Sequence, residues 1–313
     1  MYVEAHDEPG AYLIYDRTAA RIDPLAAVSN ALVGVVFAPT KVVAYKSRDG
    51  VDLWGYLTNG VAPGEAIRPL IVLPHGGPEA RDSSGFDREV QFLASRGYQV
   101  FRPNFRGGSG FGRAFTEAGY RQWGRRMQDD VTDGLKHLVD TGAADRARVC
   151  IMGGSYGGYA ELAGATLTPD LYKCVIAIAG VSDLPEMLES ERFDEGRGSM
   201  AYAYWVKAIG DPSTDRAALE AASPRRQAAA ARAPVLLLHG DDDGIVPVQQ
   251  ARMMKRARTE AGRSVKLVEY KDEGHSPFLW EKENLIAYLR EIETFLAQHL
   301  PVNAPPAATP PPP

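Results

Sequence analysis

The sequence predicts an α/β chain with a mostly parallel central sheet and helices on both faces. Two observations carry this expectation. From residue 69 onward, short apolar runs alternate with helical patterns. The helical stretches between the runs supply the cover for both faces that a mostly parallel sheet needs. Ahead of them, residues 11–15 (AYLIY) and 20–26 flank a turn-like stretch, which reads as a small hairpin. Residues 41–47 (KVVAYKS) and 51–58 (VDLWGYLT) flank Arg48-Asp49-Gly50, and Asp-Gly between β-rich runs is a strong hairpin signal. Then follow strand PLIVLPH, helix DREVQFLASRGY, strand QVFRPNF, helix MQDDVTDGLKHLVDTG, strand RVCIMGG and a helix from Tyr156. After strand YKCVIAIAGV comes a long polar middle, then strand APVLLLHG, helix VQQARMMKRARTEAG, strand SVKLVEY and helix EKENLIAYLREIETFLAQHL. The last helix carries Leu285, Leu289, Ile292 and Leu296 on one stripe, the spacing of a core face. The end, PVNAPPAATPPPP, is rich in proline and lacks the apolar mass to pack, so it reads as a disordered tail.

Composition narrows the function classes. With 35 basic and 40 acidic residues the net charge is −5, which leaves no basic excess to neutralise nucleic-acid phosphates. Two cysteines are too few for a disulfide framework or a cysteine-rich zinc site, and both read as small core residues. The longest apolar runs, such as residues 31–38, fall far short of the ~18 residues of a membrane span. The polar, acidic start MYVEAHDEPG has no signal pattern, so a soluble cytoplasmic protein is the expectation. Neither H-E-x-x-H nor paired cysteines occur, and no metal or cofactor is expected. Residues 107–112 (GGSGFG) look phosphate-like, but no Gly-Lys-Ser/Thr follows and the spacing misses G-x-G-x-x-G, so they read as a structural loop.

The chemistry concentrates at Gly153-Gly154-Ser155-Tyr156-Gly157, a G-x-S-x-G motif between an apolar strand and a helix. That is the context of a nucleophile elbow, a tight strand-to-helix turn that exposes a serine oxygen at the carboxyl end of the sheet. The Tyr156 amide then opens a helix and points where an oxyanion would form. A serine needs a base. In the chain order Ser…Asp…His the base lies in the last strand-to-helix loop, which holds His275 in Asp272-Glu273-Gly274-His275-Ser276-Pro277. The acid should end a strand before it. Asp183 follows one strand, and Asp241, Asp242 and Asp243 follow VLLLHG; the second loop is preferred, but spacing does not choose among its three aspartates. Pro74-His75-Gly76-Gly77-Pro78 ends the first parallel-type strand, where glycines let backbone amides approach a substrate oxygen, as in lipase-type oxyanion elements.

At these residues the chain resembles the catalytic α/β-hydrolase domain of the prolyl oligopeptidase family, in its acylaminoacyl-peptidase-like branch. The resemblance covers about residues 40–298, through KSRDGVDLWGYLT, LPHGGPEARDSSGFDREVQFLASRGY, RPNFRGGSGFGRAF, RVCIMGGSYGGYA, HGDDDGIVPVQQ and DEGHSPF in the family's order. It implies Ser155 as nucleophile, His275 as base and, through H-G-x-x-D-x-x-V-P, Asp243 as acid. It also implies the Gly77 and Tyr156 amides as oxyanion donors. Family members usually carry a large N-terminal β-propeller. Residues 1–40 have room only for strands similar to the end of one, at ~40–50 residues per blade. The organisation expected is therefore residues 1–40 as a β remnant, 41–300 as the hydrolase domain and 301–313 as tail. The function expected is cleavage of short peptides or acyl-peptides through an acyl-enzyme, with a carboxylesterase as the alternative and a non-catalytic binding module as a minor one. Tyr202, Tyr204, Trp205 and Val181, after later strands, are candidates for a substrate pocket.

Overall fold

The short apolar runs that alternate with helical patterns become the parallel strands of one sheet. The computed structural model describes residues 1–61 and 67–302, so most of the Pro-rich tail lies outside the described residues. The strands β6 (Leu70–Val72), β7 (Gln99–Asn104), β8 (Val149–Gly154), β9 (Cys174–Ile178), β10 (Val235–Gly240) and β11 (Val265–Tyr270) pair in parallel. The Asp-Gly hairpin forms as expected: β4 (Thr40–Lys46) and β5 (Asp52–Thr58) pair antiparallel and join the sheet beside β7. The order across the sheet is β11-β10-β9-β8-β6-β7-β5-β4. A separate antiparallel sheet is formed by β1 (Tyr2–Ala5), β2 (Glu8–Asp16) and β3 (Arg21–Ala27). The fold class read from the sequence is the one observed.

Alternate residues of each inner strand feed two cores. Val149 and Ile151 of β8 pack with Met127, Val131 and Leu135 of α3 (Arg126–Asp140) and with Leu162 of α4 (Tyr156–Leu167). Cys150 and Met152 face the other way, onto Val90 and Leu93 of α1 (Arg88–Ser95) and Ile292 and Leu296 of α9 (Lys282–His299). Leu285 and Leu289 pack against that second core, so the stripe of the last helix is packing as expected. Among the described residues no helix is long and apolar enough to cross a membrane.

Two expectations need correction. The polar middle is not a plain connection: it folds into α5 (Leu184–Asp194), α6 (Met200–Ile209) and α7 (Arg216–Ala221). The signals were caps rather than apolar periodicity, because Asp183 accepts from the Glu186 amide at 3.1 Å and Ser199 from the Tyr202 amide at 3.0 Å. The short α2 (Arg113–Glu117) and α8 (Gln249–Glu260) are also helical. The second correction concerns the cysteines. Cys150 and Cys174 are fully buried, but they are joined in a disulfide. They are register partners on the neighbouring strands β8 and β9, with Cα atoms 4.8 Å apart. Such a pair is within bridging distance, and only strand register reveals it.

The glycine loop after β7 follows directly on Arg106, which ties it to the fold. Its guanidinium donates to Asp130 of α3 at 2.8 and 2.7 Å and to Asp49 of the β4–β5 turn at 2.8 and 2.7 Å. The Asp130 side chain is wholly buried. Arg106→Ala would strand that carboxylate, so it is expected to lower unfolding free energy by about 3–5 kcal/mol. Urea denaturation measures this, and a loss under about 1 kcal/mol would show that the network is not structural.

Candidate active site

Four strand ends meet at the carboxyl edge of the sheet: β6, β8, β10 and β11. The turn after β8 is held by close packing. A Cβ on Gly153 would sit 2.7 Å from the Pro74 carbonyl oxygen, and one on Gly157 would sit 2.4 Å from the same atom. The elbow is thus wedged against the end of β6, where only hydrogen fits. Ser155 itself adopts φ 60°, ψ −120°, a conformation non-glycine residues rarely take. It stands at the N-cap position of α4, yet its side chain makes no cap hydrogen bond. The hydroxyl is therefore not consumed by the helix, and Tyr156 begins the helix with its amide at the positive end of the dipole.

After β10 the chain turns at residues 241–247. Asp243 Oδ1 accepts from the amides of Ile245 and Val246, both at 2.9 Å. Its Oδ2 lies 2.8 Å from His275 Nδ1 and 3.2 Å from His239 Nε2. Burial alone would raise the pKa of Asp243. The hydrogen bonds from His239, His275 and the two amides outweigh it and hold the carboxyl well below the usual range. Because the folded-state value is depressed, this charge favours folding above the ordinary aspartate range. That contribution is lost as pH falls through the ordinary range toward the folded value.

The bond to Asp243 fixes the His275 tautomer. A carboxylate accepts, so Nδ1 carries the proton and Nε2 keeps a lone pair for a neighbouring hydroxyl. The loop that presents His275 is pinned from both sides. The Asp272 amide donates to Asp241 Oδ1 at 2.7 Å, and Trp280 Nε1 donates to the Gly274 carbonyl at 2.8 Å. Glu273 is buried, and its Oε1 accepts from the Glu281 amide at 3.0 Å and from Asn284 at 2.6 Å, so it serves the start of α9.

The other aspartates have different surroundings. Asp183 caps α5 and pairs with Arg225 and Arg226 at 2.8 and 3.0 Å. Asp241 and Asp242 are exposed. Among the described residues, Asp243 is the aspartate hydrogen-bonded to His275.

Ser155 and His275 line one cavity of about 350 Å³ together with Gly77, Gly154, Ile178, Phe278, Tyr288 and Glu89. Gly77 has φ +114°, and a Cβ there would come within 2.8 Å of the Glu79 nitrogen. His75 does not line this cavity. It stacks on Phe105 at 4.2 Å and donates through Nδ1 to the Gly76 carbonyl at 2.7 Å, and burial lowers its pKa to about 4. It shapes the His-Gly-Gly turn as a neutral ring.

A strand–serine–helix elbow, an acid–imidazole pair and a glycine turn thus come together around one cavity. A profile described as the prolyl oligopeptidase family matches residues 84–302. The chain belongs to the prolyl oligopeptidase family. Among its relatives is a dipeptidyl aminopeptidase BIII of Pseudoxanthomonas mexicana, 37% identical over 96% of this chain and 44% of the relative. A dipeptidyl peptidase family member 6 of Caenorhabditis elegans is 34% identical over 78% of this chain and 33% of its own length. A solved Mycobacterium tuberculosis puromycin-hydrolyzing peptidase superposes with a TM-score of 0.84 at 29% identity, covering 98% of this chain and 46% of that one. The chain thus spans less than half the length of these relatives of the prolyl oligopeptidase family.

The proposed pocket residues sit apart from the cavity. Val181 is buried in the core on the α3–α4 face, and Tyr202 is nearly buried on α6. Trp205 meets Trp123 edge-on at 6.3 Å, and Trp123 in turn meets Tyr156 at 4.5 Å. This aromatic chain reaches the residue after Ser155 from the face opposite α9. The cavity wall formed by Glu89, Phe278 and Tyr288 was missed from sequence. Its signal was a charged residue four positions before Leu93 on the apolar stripe of α1, and a tyrosine four before Ile292 on that of α9.

Proposed function

We propose that this chain is the catalytic part of a serine peptidase that cleaves short peptides or acyl-peptides through an acyl-enzyme. The observation that carries the reading is the 2.8 Å bond from His275 to a buried Asp243, in a loop lining the cavity that holds Ser155. In this reading His275 Nε2 takes the Ser155 proton as the oxygen attacks the scissile carbonyl. Asp243 keeps the imidazole in the correct tautomer and stabilises its charged form. The amides of Tyr156 and Gly77 receive the oxyanion. The imidazolium then gives its proton to the leaving nitrogen, and water repeats the sequence on the acyl-enzyme. Family membership favours peptides as substrates. Trp205, Tyr202 and Val181 stay the candidates for the acyl side, and Trp205 among them belongs to the aromatic chain that reaches Tyr156.

Comparing aminoacyl anilides with short acyl nitrophenyl esters tests the peptide reading: anilide turnover supports it, and ester turnover alone replaces it with a carboxylesterase. Since only a neutral imidazole accepts the serine proton, kcat/KM on a small ester is expected to rise with pH through one ionisation. A flat profile between about pH 5 and 9 in chemistry-limited turnover would reject His275 as the base. A cytoplasmic placement is the remaining part of this reading. The Cys150–Cys174 bond weighs against it, because disulfides persist mainly in oxidising compartments. Cell fractionation decides between the two.

A further inference from the structure

The cavity beside Ser155 contains a carboxyl that the triad does not use. Glu89 of α1 lines it, and the Tyr288 hydroxyl of α9 donates to Glu89 Oε1 at 2.6 Å. Among the described residues lining this cavity, Glu89 is the carboxylate. One oxygen is engaged by Tyr288, and no hydrogen bond to the other is present among the described residues. The side of the scissile bond that the cavity serves follows from proton transfer. His275 must protonate the leaving nitrogen, so the leaving group lies on the side of His275. The same cavity is walled by the residues that follow the base, Ser276, Pro277 and Phe278. The aromatic chain through Trp123 and Trp205 approaches from the other face of the sheet.

We propose that Glu89, oriented by Tyr288, forms a leaving-side subsite that selects a lysine or arginine at the residue immediately after the scissile bond. This rests on the serine-peptidase reading above. His275 takes the scissile nitrogen, so a carboxyl on a different element is left for the side chain of the leaving residue. A cationic side chain supplies the hydrogen-bond donors that the free oxygen can accept, and the half-buried setting strengthens such a charge-assisted bond. The apolar wall of Ile178, Pro277 and Phe278 suits the methylene stem of a lysine or arginine, which packs on apolar surface while its head reaches the carboxyl. An acidic side chain there would meet a like charge.

The groups that act on Glu89 are Tyr288 from α9, Asp87 at the start of its own helix and Glu161 from α4, with His275 across the cavity. Burial, chiefly, pushes the Glu89 pKa up to about 7. Its charge is therefore gained as pH rises through neutrality, and attraction for a cation grows in the same direction.

Internally quenched peptides that differ only at the residue after the scissile bond test the proposal. Lysine, norleucine and glutamate at that position separate charge from bulk. With the wild-type chain, kcat/KM for lysine is expected to exceed that for norleucine by roughly tenfold, with glutamate lowest. The lysine-to-norleucine ratio should rise between pH 6 and 8, and taking the ratio cancels the ionisation of His275. In Glu89→Gln the ratio should fall to within about twofold and lose its pH dependence. The wild-type pH series needs no variant, so a poorly folding Glu89→Gln leaves the test intact. Equal rates for lysine and norleucine at every pH would overturn the subsite and leave the peptidase reading standing. Failure to cleave any of the peptides, with ester hydrolysis intact, would overturn both.

Discussion

Ser155→Ala is expected to lower kcat on the order of 10⁶-fold while leaving the fold unchanged. The first half follows from the proposed chemistry: without the hydroxyl no acyl-enzyme forms, and binding with oxyanion stabilisation supplies only residual turnover. The second half follows from the local structure. The Ser155 side chain makes no cap hydrogen bond to α4, so its removal strands no helix amide that it had satisfied. The backbone at φ 60°, ψ −120° is as uncomfortable for alanine as for serine, and the close packing of Gly153 and Gly157 against Pro74 is untouched. The variant should match the wild type in thermal midpoint and lose labelling by a serine-directed fluorophosphonate. Turnover within tenfold of wild type, at normal stability, would remove Ser155 from the mechanism.

Asp243→Asn should cost about 10⁴-fold in kcat. The amide oxygen can still accept from Ile245 and Val246, as Asp243 Oδ1 does. The amide NH₂ then faces His275 Nδ1 and His239 Nε2, where Oδ2 now lies 2.8 and 3.2 Å away. A donor facing a donor favours the other imidazole tautomer at His275, which points N–H rather than a lone pair at Ser155. Asp241→Asn and Asp242→Asn, at exposed positions, should stay within a few-fold of wild type. Asp183→Asn should act on stability instead, because it weakens the pairing with Arg225 and Arg226 that surrounds the start of α5. Parallel measurement of kcat and of the urea midpoint separates these outcomes. If Asp241→Asn or Asp242→Asn proves the costly change, the acid has been assigned to the wrong residue of the loop.

Much of this protein could be read in its sequence because the informative patterns are local. Apolar runs alternating with helical patterns announced a parallel sheet covered on both sides, and the Asp-Gly turn announced the β4–β5 hairpin. The strand-Gly-x-Ser-x-Gly-helix arrangement located Ser155, since a strained turn needs small neighbours within a few residues. Chain order carried His275. Helices in the polar middle were legible only as caps, at Asp183 and Ser199, because they lack a strong apolar stripe.

Tertiary structure decided what depends on elements distant in sequence. Local spacing treated Asp241, Asp242 and Asp243 alike. They differ because the turn after β10 buries Asp243 against His275, 32 residues on, while its neighbours face solvent. The two cysteines looked like unrelated core residues until β8 and β9 were set in register. Glu89 and Tyr288 stand 199 residues apart and meet only because α1 and α9 cover the same face of the sheet. Hydrophobic patterning and turn chemistry act over one or two turns of chain. Sheet order and register bring together groups that no sequence window contains, and there the acid's partner, the disulfide and the wall of the cavity are determined.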